Sequence, residues 1–309
     1  MTSRLLVIVN PRSANGSTGR RWPKLERQLR EALPPFDAVL TRASGEAIRL
    51  AAEGADRYGT VVAVGGDGTI SEVANGILAS AAEAALGVIP RGTGSDLVRT
   101  LGIPTGLRAA AALLASGPRR LIDVGSATFL DFRREPATRW FLNAAEVGAG
   151  AMVVDAVNHA SRRLQGPPAL WWAILTTMFR YRPSLASVVT DSSPPLRLLL
   201  SNAWVANGRY SGGGIRSAPR AAMDDGLLDV VLVEHGSAWR RVAGLLKLRS
   251  GAFVELPEVV YRQVARVEFT ARTPLPIEID GDAVGTTPAT FEVVPGGLAV
   301  VAPLEQLCR

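Results

Sequence analysis

The sequence predicts an α/β chain in two parts. A Rossmann-like, mostly parallel α/β domain is expected over residues 1–124. An antiparallel β-sandwich with helical insertions is expected over 125–302, and residues 303–309 are a candidate return to the first domain. Three observations predict this. Up to residue 124, short apolar, β-branched runs alternate with segments of helical period, the pattern of a parallel sheet flanked by helices. Those runs end in loops bearing Gly, Asn or Thr, which in such sheets gather at the carboxyl edge. From about Gly125, short apolar runs follow one another between Gly, Pro, Asn and Asp turns, the texture of an antiparallel sandwich.

The first strand is expected at 5–9, closing on Asn10-Pro11 and a polar Gly/Ser loop through Gly19. Residues 20–33 carry a helical period that Pro34-Pro35 stops. A strand at 37–40 closes on Thr41, and a short helix covers 45–54. Thr60-Val61-Val62-Ala63-Val64 reads as a fully buried strand running into Gly65-Gly66-Asp67-Gly68-Thr69. The helix that follows, 70–79, repeats apolar side chains at i, i+3, i+4 and i+7. A strand at 86–90 leads into Arg91-Gly92-Thr93-Gly94-Ser95-Asp96 and a helix starting at Leu97. A helix at 105–116 and a strand at 121–124 complete the series. In the second half strands are expected at 139–143, 185–189, 197–206, 227–234, 265–271, 277–279, 291–294 and 298–301. Helices are expected at 149–164, 169–180 and 238–250.

With 309 residues, 47% hydrophobic and 20% charged, the chain is globular and has ample sequence for a core. Its single cysteine, Cys308, excludes a disulfide framework and a Cys-based metal site. His159 and His235 stand apart and read as surface or helix-end residues. No apolar run reaches the roughly 20 residues of a membrane span, and the first apolar run is too short for a signal peptide. A cytoplasmic protein is therefore expected. The net charge of +6 suits nucleic acid, an anionic membrane or a phosphate-bearing ligand without choosing among them.

Three constellations carry chemistry. Each Gly loop ends a strand and brings backbone amides, a hydroxyl and one acid, which suits phosphate oxygens and a hard cation. Neither matches the P-loop nor the dinucleotide fingerprint. Met223-Asp224-Asp225-Gly226-Leu227-Leu228-Asp229 is either a plain turn entering a strand or a carboxylate with nearby carbonyls for a cation. Ile277-Glu278-Ile279-Asp280-Gly281-Asp282 is either a hairpin turn or an acid placed to accept a hydroxyl proton. The apolar run 169–179, with Arg162, Arg163, Arg180 and Arg182 near its ends, reads as a core helix or as a helix at a lipid surface.

In their order along the chain, Asn10-Pro11, the two Gly loops, Val88-Ile89-Pro90, Ile122-Asp123-Val124-Gly125, Asp225-Gly226 and Asp280-Gly281-Asp282 resemble bacterial lipid kinases of the diacylglycerol kinase catalytic-domain family, relatives of sphingosine kinases. The resemblance covers nearly the whole chain. The first Gly loop alone is shared with NAD kinases and phosphofructokinases, whereas the later motifs favour the lipid kinases. It implies an ATP- and Mg²⁺-dependent enzyme that transfers the γ-phosphoryl group to a lipid hydroxyl. ATP would contact Asn10, Thr41, Gly65, Gly66, Asp67, Gly68, Thr69, Ile70, Ser71 and Thr93. Asp67 and Asp96 would support Mg²⁺–nucleotide and substrate positioning, with Asp123 nearby. Asp282, beside Asp280, would accept the hydroxyl proton. A structural Mg²⁺ would sit on Asp225 and the carbonyls of Ala222 and Leu227.

The implied protein is cytoplasmic and peripherally membrane-associated. Its implied partners are ATP, a lipid with a free hydroxyl and an anionic membrane, with a homodimer left open and nucleic acid excluded. The sequence departs from the family where Arg12 and Asn15 stand in a loop that often carries Lys, where Ser95 stands for Asn, and where Asp282 stands for a common Glu. Two other readings remain: an NAD kinase-like phosphotransferase on a soluble substrate, and a non-catalytic lipid- or nucleotide-binding protein.

Overall fold

The computed structural model describes residues 4–80, 82–92, 94–158, 167–191 and 193–304. The chain divides into two units, one of residues up to Asp123 with those from Gly296 on, the other Val124–Pro295.

In the first unit β1 (Leu5–Val9), α1 (Ser17–Ala32), β2 (Phe36–Leu40), α2 (Glu46–Ala55), β3 (Thr60–Gly65), α3 (Asp67–Ala79) and β4 (Ala85–Pro90) alternate as expected, followed by α4 (Asp96–Leu101), α5 (Leu107–Ser116) and the start of β5 (Arg119–Asp131). The four strands β1 to β4 are parallel in the order β4–β3–β1–β2. β1, β3 and β4 are buried at every position, which is why they read as unbroken apolar runs. Leu5, Val7, Val9, Val62 and Val64 face Trp22, Leu25 and Leu29 of α1 and Ala110, Ala111 and Leu114 of α5. Leu6 points the other way, toward α2 at Gly54. α2 and α3 pack closely because α3 carries Gly76, where a methyl would stand 2.2 Å from the Ile48 carbonyl oxygen. Val300, near the chain's end, pairs in parallel with Leu86. Residues from Gly296 on group with this unit.

In the second unit β5 continues past residue 124 and pairs with β6 (Pro136–Phe141). Then come β7 (Ala144–Gly148), α6 (Ala149–Asn158), α7 (Pro167–Arg180), β8 (Ser184–Thr190), β9 (Leu196–Ala206), β10 (Leu228–Glu234), α8 (Ala238–Lys247), β11 (Val259–Val264), β12 (Arg266–Ala271), β13 (Pro276–Ile279) and β14 (Asp282–Val301). The pairings of β6 to β13 with their neighbours in this unit are antiparallel. The order runs β11–β10–β9–β7–β13–β14, with β8 joining β9 to β12 and β12 joining β14. Alternate residues Ala145, Val147, Ala203, Val205, Val230, Leu232, Ile277 and Ile279 enter a core with Phe141, Phe269 and Phe291. Phe291 meets both other rings edge to face, at 6.4 and 5.8 Å. The opposite face of β7, β9 and β10 lies against Trp171 and Ile174 of α7, Leu245 of α8, and Phe253.

β7 and β11 have no counterpart among the expected strands. Residues 144–148 are small apart from Glu146 and Val147, so they lack the β-branched run that marks a strand. The expected strands at 291–294 and 298–301 are one strand, which passes through Pro295-Gly296-Gly297 without a break. Residues 159–164 of the helix expected from 149 lie outside the described residues, as does His159. Among the described residues no helix is long and apolar enough to cross a membrane.

Candidate functional site

The two Gly loops of the first unit touch backbone to backbone. A methyl on Gly92 would stand 2.5 Å from the Cα of Gly66, so no larger residue fits without moving a loop. Asp67, the first residue of α3, laces them further. Its Oδ2 accepts the Ser95 N–H at 2.7 Å and its Oδ1 the Asp96 N–H at 2.9 Å. Ser95 turns the chain with φ 57°. Burial pushes the Asp67 carboxyl above its ordinary range, while the amides of Ser95, Asp96 and Leu97 pull it back. The sequence suggested a bound metal or a proton to be managed as the reason for an acid here. The structure supplies another, because both oxygens serve loop amides.

Beside these loops lies a small polar hollow of about 100 Å³, bounded by Asn10, Arg12, Thr41, Ser44, Thr69 and Glu72. Its walls are the carboxyl ends of β1 and β2 and the first turn of α3. Asn10 donates from Nδ2 to Thr69 Oγ1 at 2.9 Å and accepts the Arg12 N–H at 2.9 Å, which fixes its amide. Thr41 is anchored by its N–H to the Val9 carbonyl at 2.9 Å. Glu72, which the sequence reading passed over, accepts the N–H groups of Gly45 and Ala47 and holds the third wall. Gly68 is open on its Cβ side, Gly65 packs on the Thr69 side chain, and Ile70 and Ser71 are buried, so neither offers its side chain to a ligand. Thr93 lies outside the described residues. Asp96 is buried and pairs with Arg99 at 3.1 Å. Asp123 accepts the Gly296 N–H at 2.8 Å, tying β5 to the returning chain.

In the second unit Asp225 accepts the Leu227 N–H at 3.0 Å and the Gln263 side-chain amide at 3.3 Å. Ala222 and Leu227 flank it, half-buried. Asp229 is fully buried, and Tyr261 donates to its Oδ1 at 2.7 Å. Its Oδ2 is buried with no hydrogen-bond partner. Burial, and then the Asp225 charge, push its carboxyl up to about 6. An orphaned oxygen beside a second acid fits a hard cation completed by backbone carbonyls. Among the described residues, no cluster of three or more His, Cys, Asp or Glu could hold a metal by side chains alone.

Asp280 and Asp282 have separate environments. Asp280, at φ 47°, accepts the N–H groups of Leu142, Asn143 and Ala144 at 2.9, 3.0 and 3.3 Å, so it holds the turn between β6 and β7. Asp282 is exposed, with one oxygen 2.6 Å from an Arg139 guanidinium nitrogen.

Two further acids escaped the sequence reading. Glu146 and Glu278 are opposed residues on β7 and β13, and both are buried. Burial raises the Glu146 carboxyl to about 7, while Asn202 donates to it at 3.2 Å and opposes the shift. Burial, and then the Glu146 charge, raise Glu278 well above its ordinary value. Glu278 also accepts the Gly281 N–H within the Asp280-Gly281-Asp282 turn. Glu146 lines a largely apolar cavity of about 190 Å³ enclosed by the sheet face, α6, α7 and α8. His235, expected as a surface or helix-end residue, is partly exposed and lines the same cavity, its Nδ1 3.2 Å from Ser201 Oγ. The available signal was a lone acid inside the apolar stretch from Phe141 to Ala151.

Comparison with known proteins bears on both units. Residues 4–127 match the diacylglycerol kinase catalytic domain, and residues 143–302 match the YegS C-terminal NAD kinase beta sandwich-like domain. A protein of Pseudomonas aeruginosa named "Probable lipid kinase YegS-like" is 34% identical, over 97% of this chain and 94% of its own. A protein of Mycobacterium tuberculosis named "Diacylglycerol kinase" is 31% identical, over 97% and 95%. The crystal structure of a diacylglycerol kinase from Bacillus anthracis superposes with a TM-score of 0.74 over 98% of each chain, at 21% identity, which speaks for the fold.

Proposed function

The chain belongs to the diacylglycerol kinase catalytic-domain family of lipid kinases, and from that membership we propose that it uses ATP and Mg²⁺ to phosphorylate a lipid hydroxyl at a membrane surface. The observation that carries the reading is the pair of laced Gly loops beside the Asn10–Thr41–Thr69 hollow, a set of amides and hydroxyls at strand ends suited to a nucleotide's phosphates.

In this reading the first unit binds ATP and the second binds lipid. Asn10, Thr41, Gly65, Gly66, Gly68, Thr69 and Thr93 contact the nucleotide, with Ile70 and Ser71 contributing backbone. Asp67, Asp96 and Asp123 act through the loops they fix. Mg²⁺, when bound with ATP, shields the charge that develops on the phosphates. A structural cation is held by Asp225 and the carbonyls of Ala222 and Leu227, next to the orphaned oxygen of Asp229.

Asp282 accepts the proton of the lipid hydroxyl as its oxygen attacks the γ-phosphorus, and Arg139 orients that carboxylate. Asp280 keeps the turn in place through its three amides. Trp172 and Leu175, exposed on α7, with Arg180 and Arg182 at its end, make a surface suited to anionic lipid.

The match of residues 143–302 to an NAD kinase-like sandwich keeps one competitor in play, a soluble acceptor. Incubation of the protein with [γ-³²P]ATP, Mg²⁺ and either mixed lipid vesicles or NAD decides between them. Label in the lipid phase, dependent on vesicles, is expected. Label in NAD, or in no acceptor, would overturn the reading.

A further inference from the structure

We propose that Glu146, backed by Glu278 on the neighbouring strand, forms the polar end of a lipid-chain site in the second unit, where the two acids hold one proton and Glu146 binds the acceptor's hydroxyl. The proposal rests on the lipid kinase reading and names what selects the acceptor.

Position comes first. Glu278, Glu146 and Trp204 are register partners across β13, β7 and β9, so their side chains stand on one face of the sheet. This is the face away from the sandwich core, which takes Ala145, Val147, Ile277 and Ile279 instead. Glu278 is joined to the turn bearing Asp282 by the Gly281 N–H.

Room for the pair is built in. A methyl at Gly150, in the first turn of α6, would stand 1.6 Å from Glu146 Oε2. Asn202 closes the arrangement, donating to Glu146 at 3.2 Å and accepting the Gly150 N–H at 2.8 Å.

Burial then sets the chemistry. Glu146 is 8% and Glu278 4% exposed. Two opposed carboxyls in such a place resist double ionisation, so one proton stays with the pair. The charged neighbours of Glu278 from the adjoining turn, Asp280 and Asp282, strengthen that tendency. Around the rest of the cavity stand Tyr181, His235, Glu234, Glu258, Arg240 and Arg241. A carboxyl beside a carboxylate offers one donor and one acceptor, the complement of a hydroxyl, which is also one of each.

The cavity supplies the remaining half of the ligand. Val153, Ile174, Leu245, Leu248, Phe253 and Leu256 make walls suited to hydrocarbon. At about 190 Å³ it is smaller than pockets that take bulky ligands, and it suits part of one alkyl chain. A chain in the cavity would bring its hydroxyl to Glu146, which lines it, with Glu278 paired behind on β13 and Asp282 in the same unit.

The test uses 1-monooleoylglycerol as probe. Its binding is followed by intrinsic tryptophan fluorescence without ATP, and its phosphorylation is measured in mixed micelles from pH 5.5 to 8.5. Glu146→Gln and Glu278→Gln should each raise the lipid KM roughly tenfold or more, the scale of a hydrogen bond to a charged group, and leave the ATP KM unchanged. In the wild type, kcat/KM for the lipid should fall as pH rises through about 7, where the pair loses its proton; in the Gln variants that fall should vanish. Val153→Phe, which fills the apolar cavity and keeps the pair, should weaken the oleoyl acceptor more than dibutyrylglycerol. Wild-type lipid KM and pH profile in both Gln variants would overturn the proposal while leaving the kinase reading intact. If the wild type phosphorylates no lipid, the kinase reading fails and fluorescence still judges the pair. Monooleoylglycerol binding weakened by both Gln changes supports it, and unaltered binding overturns it.

Discussion

The Gly-loop acids of the first unit and the Glu146–Glu278 pair of the second are managed by different means. In the first, Asp67 and Asp123 are met by backbone amides, from Ser95 and Asp96 in one case and Gly296 in the other. An amide-bound carboxylate is a fastener, because the hydrogen bonds that favour its charge also fix the loop that supplies them. Asp280 of the second unit is of this kind. Glu146 and Glu278 meet each other, across neighbouring strands, with apolar walls on one side. Opposed acids, even where one also holds an amide as Glu278 does that of Gly281, keep a proton where a free carboxylate would release it. The difference teaches which acids to read as architecture and which as chemistry, something residue type alone does not reveal.

Four substitutions, with Asp229→Asn as a control, separate fastening from proton-holding positions. Asp280→Ala should have the largest effect, about 3 kcal/mol of stability, because more than one amide loses a charged partner and alanine tolerates φ 47° poorly. A denaturant midpoint equal to wild type would remove it from the fasteners. Gly92→Ala should cost about 1–3 kcal/mol and weaken ATP binding, since its methyl must push the Gly66 backbone. Calorimetric melting with and without ATP reads both effects.

Glu278→Gln should alter the slope of stability against pH more than its level. Glu146 and Glu278 titrate higher in the folded chain than the ordinary 4.5, so the folded state holds protons that the unfolded state releases. Their contribution is present below about 4.5 and is lost as pH rises through about 7. In EDTA, with no cation beside Asp225, Asp229 is raised to about 6, adds to the same slope and serves as a separate control through Asp229→Asn. Midpoints at pH 5, 6, 7 and 8 should converge for Glu278→Gln; an unchanged slope would contradict the shared proton. Gly68→Ala should have the smallest effect, within about 0.5 kcal/mol, because its Cβ would meet nothing within 4 Å.

The parallel sheet and its loops were legible because each is local: strand, glycine turn and helix follow one another within a dozen residues. Asn10, Thr41 and Thr69 could be placed together from strand order alone, since parallel strands send their carboxyl ends to one edge. The purpose of Asp67 was not legible, as its partners Ser95 and Asp96 belong to another loop. The Glu146–Glu278 pair was further out of reach. It exists only through the pairing of β7 with β13, and β7 itself is masked by small residues. The long β14 was divided in the reading because Pro295-Gly296-Gly297 looks like a turn, while tertiary pairing carries the strand through it.

In the proposed reaction the lipid hydroxyl gives up its proton to Asp282. The most direct measurement is the turnover of dioleoylglycerol in mixed micelles by wild type and Asp282→Asn, with ATP affinity measured alongside. The predicted result is turnover lowered roughly 10²-fold or more at unchanged ATP affinity. Equal turnover in the two proteins would contradict it.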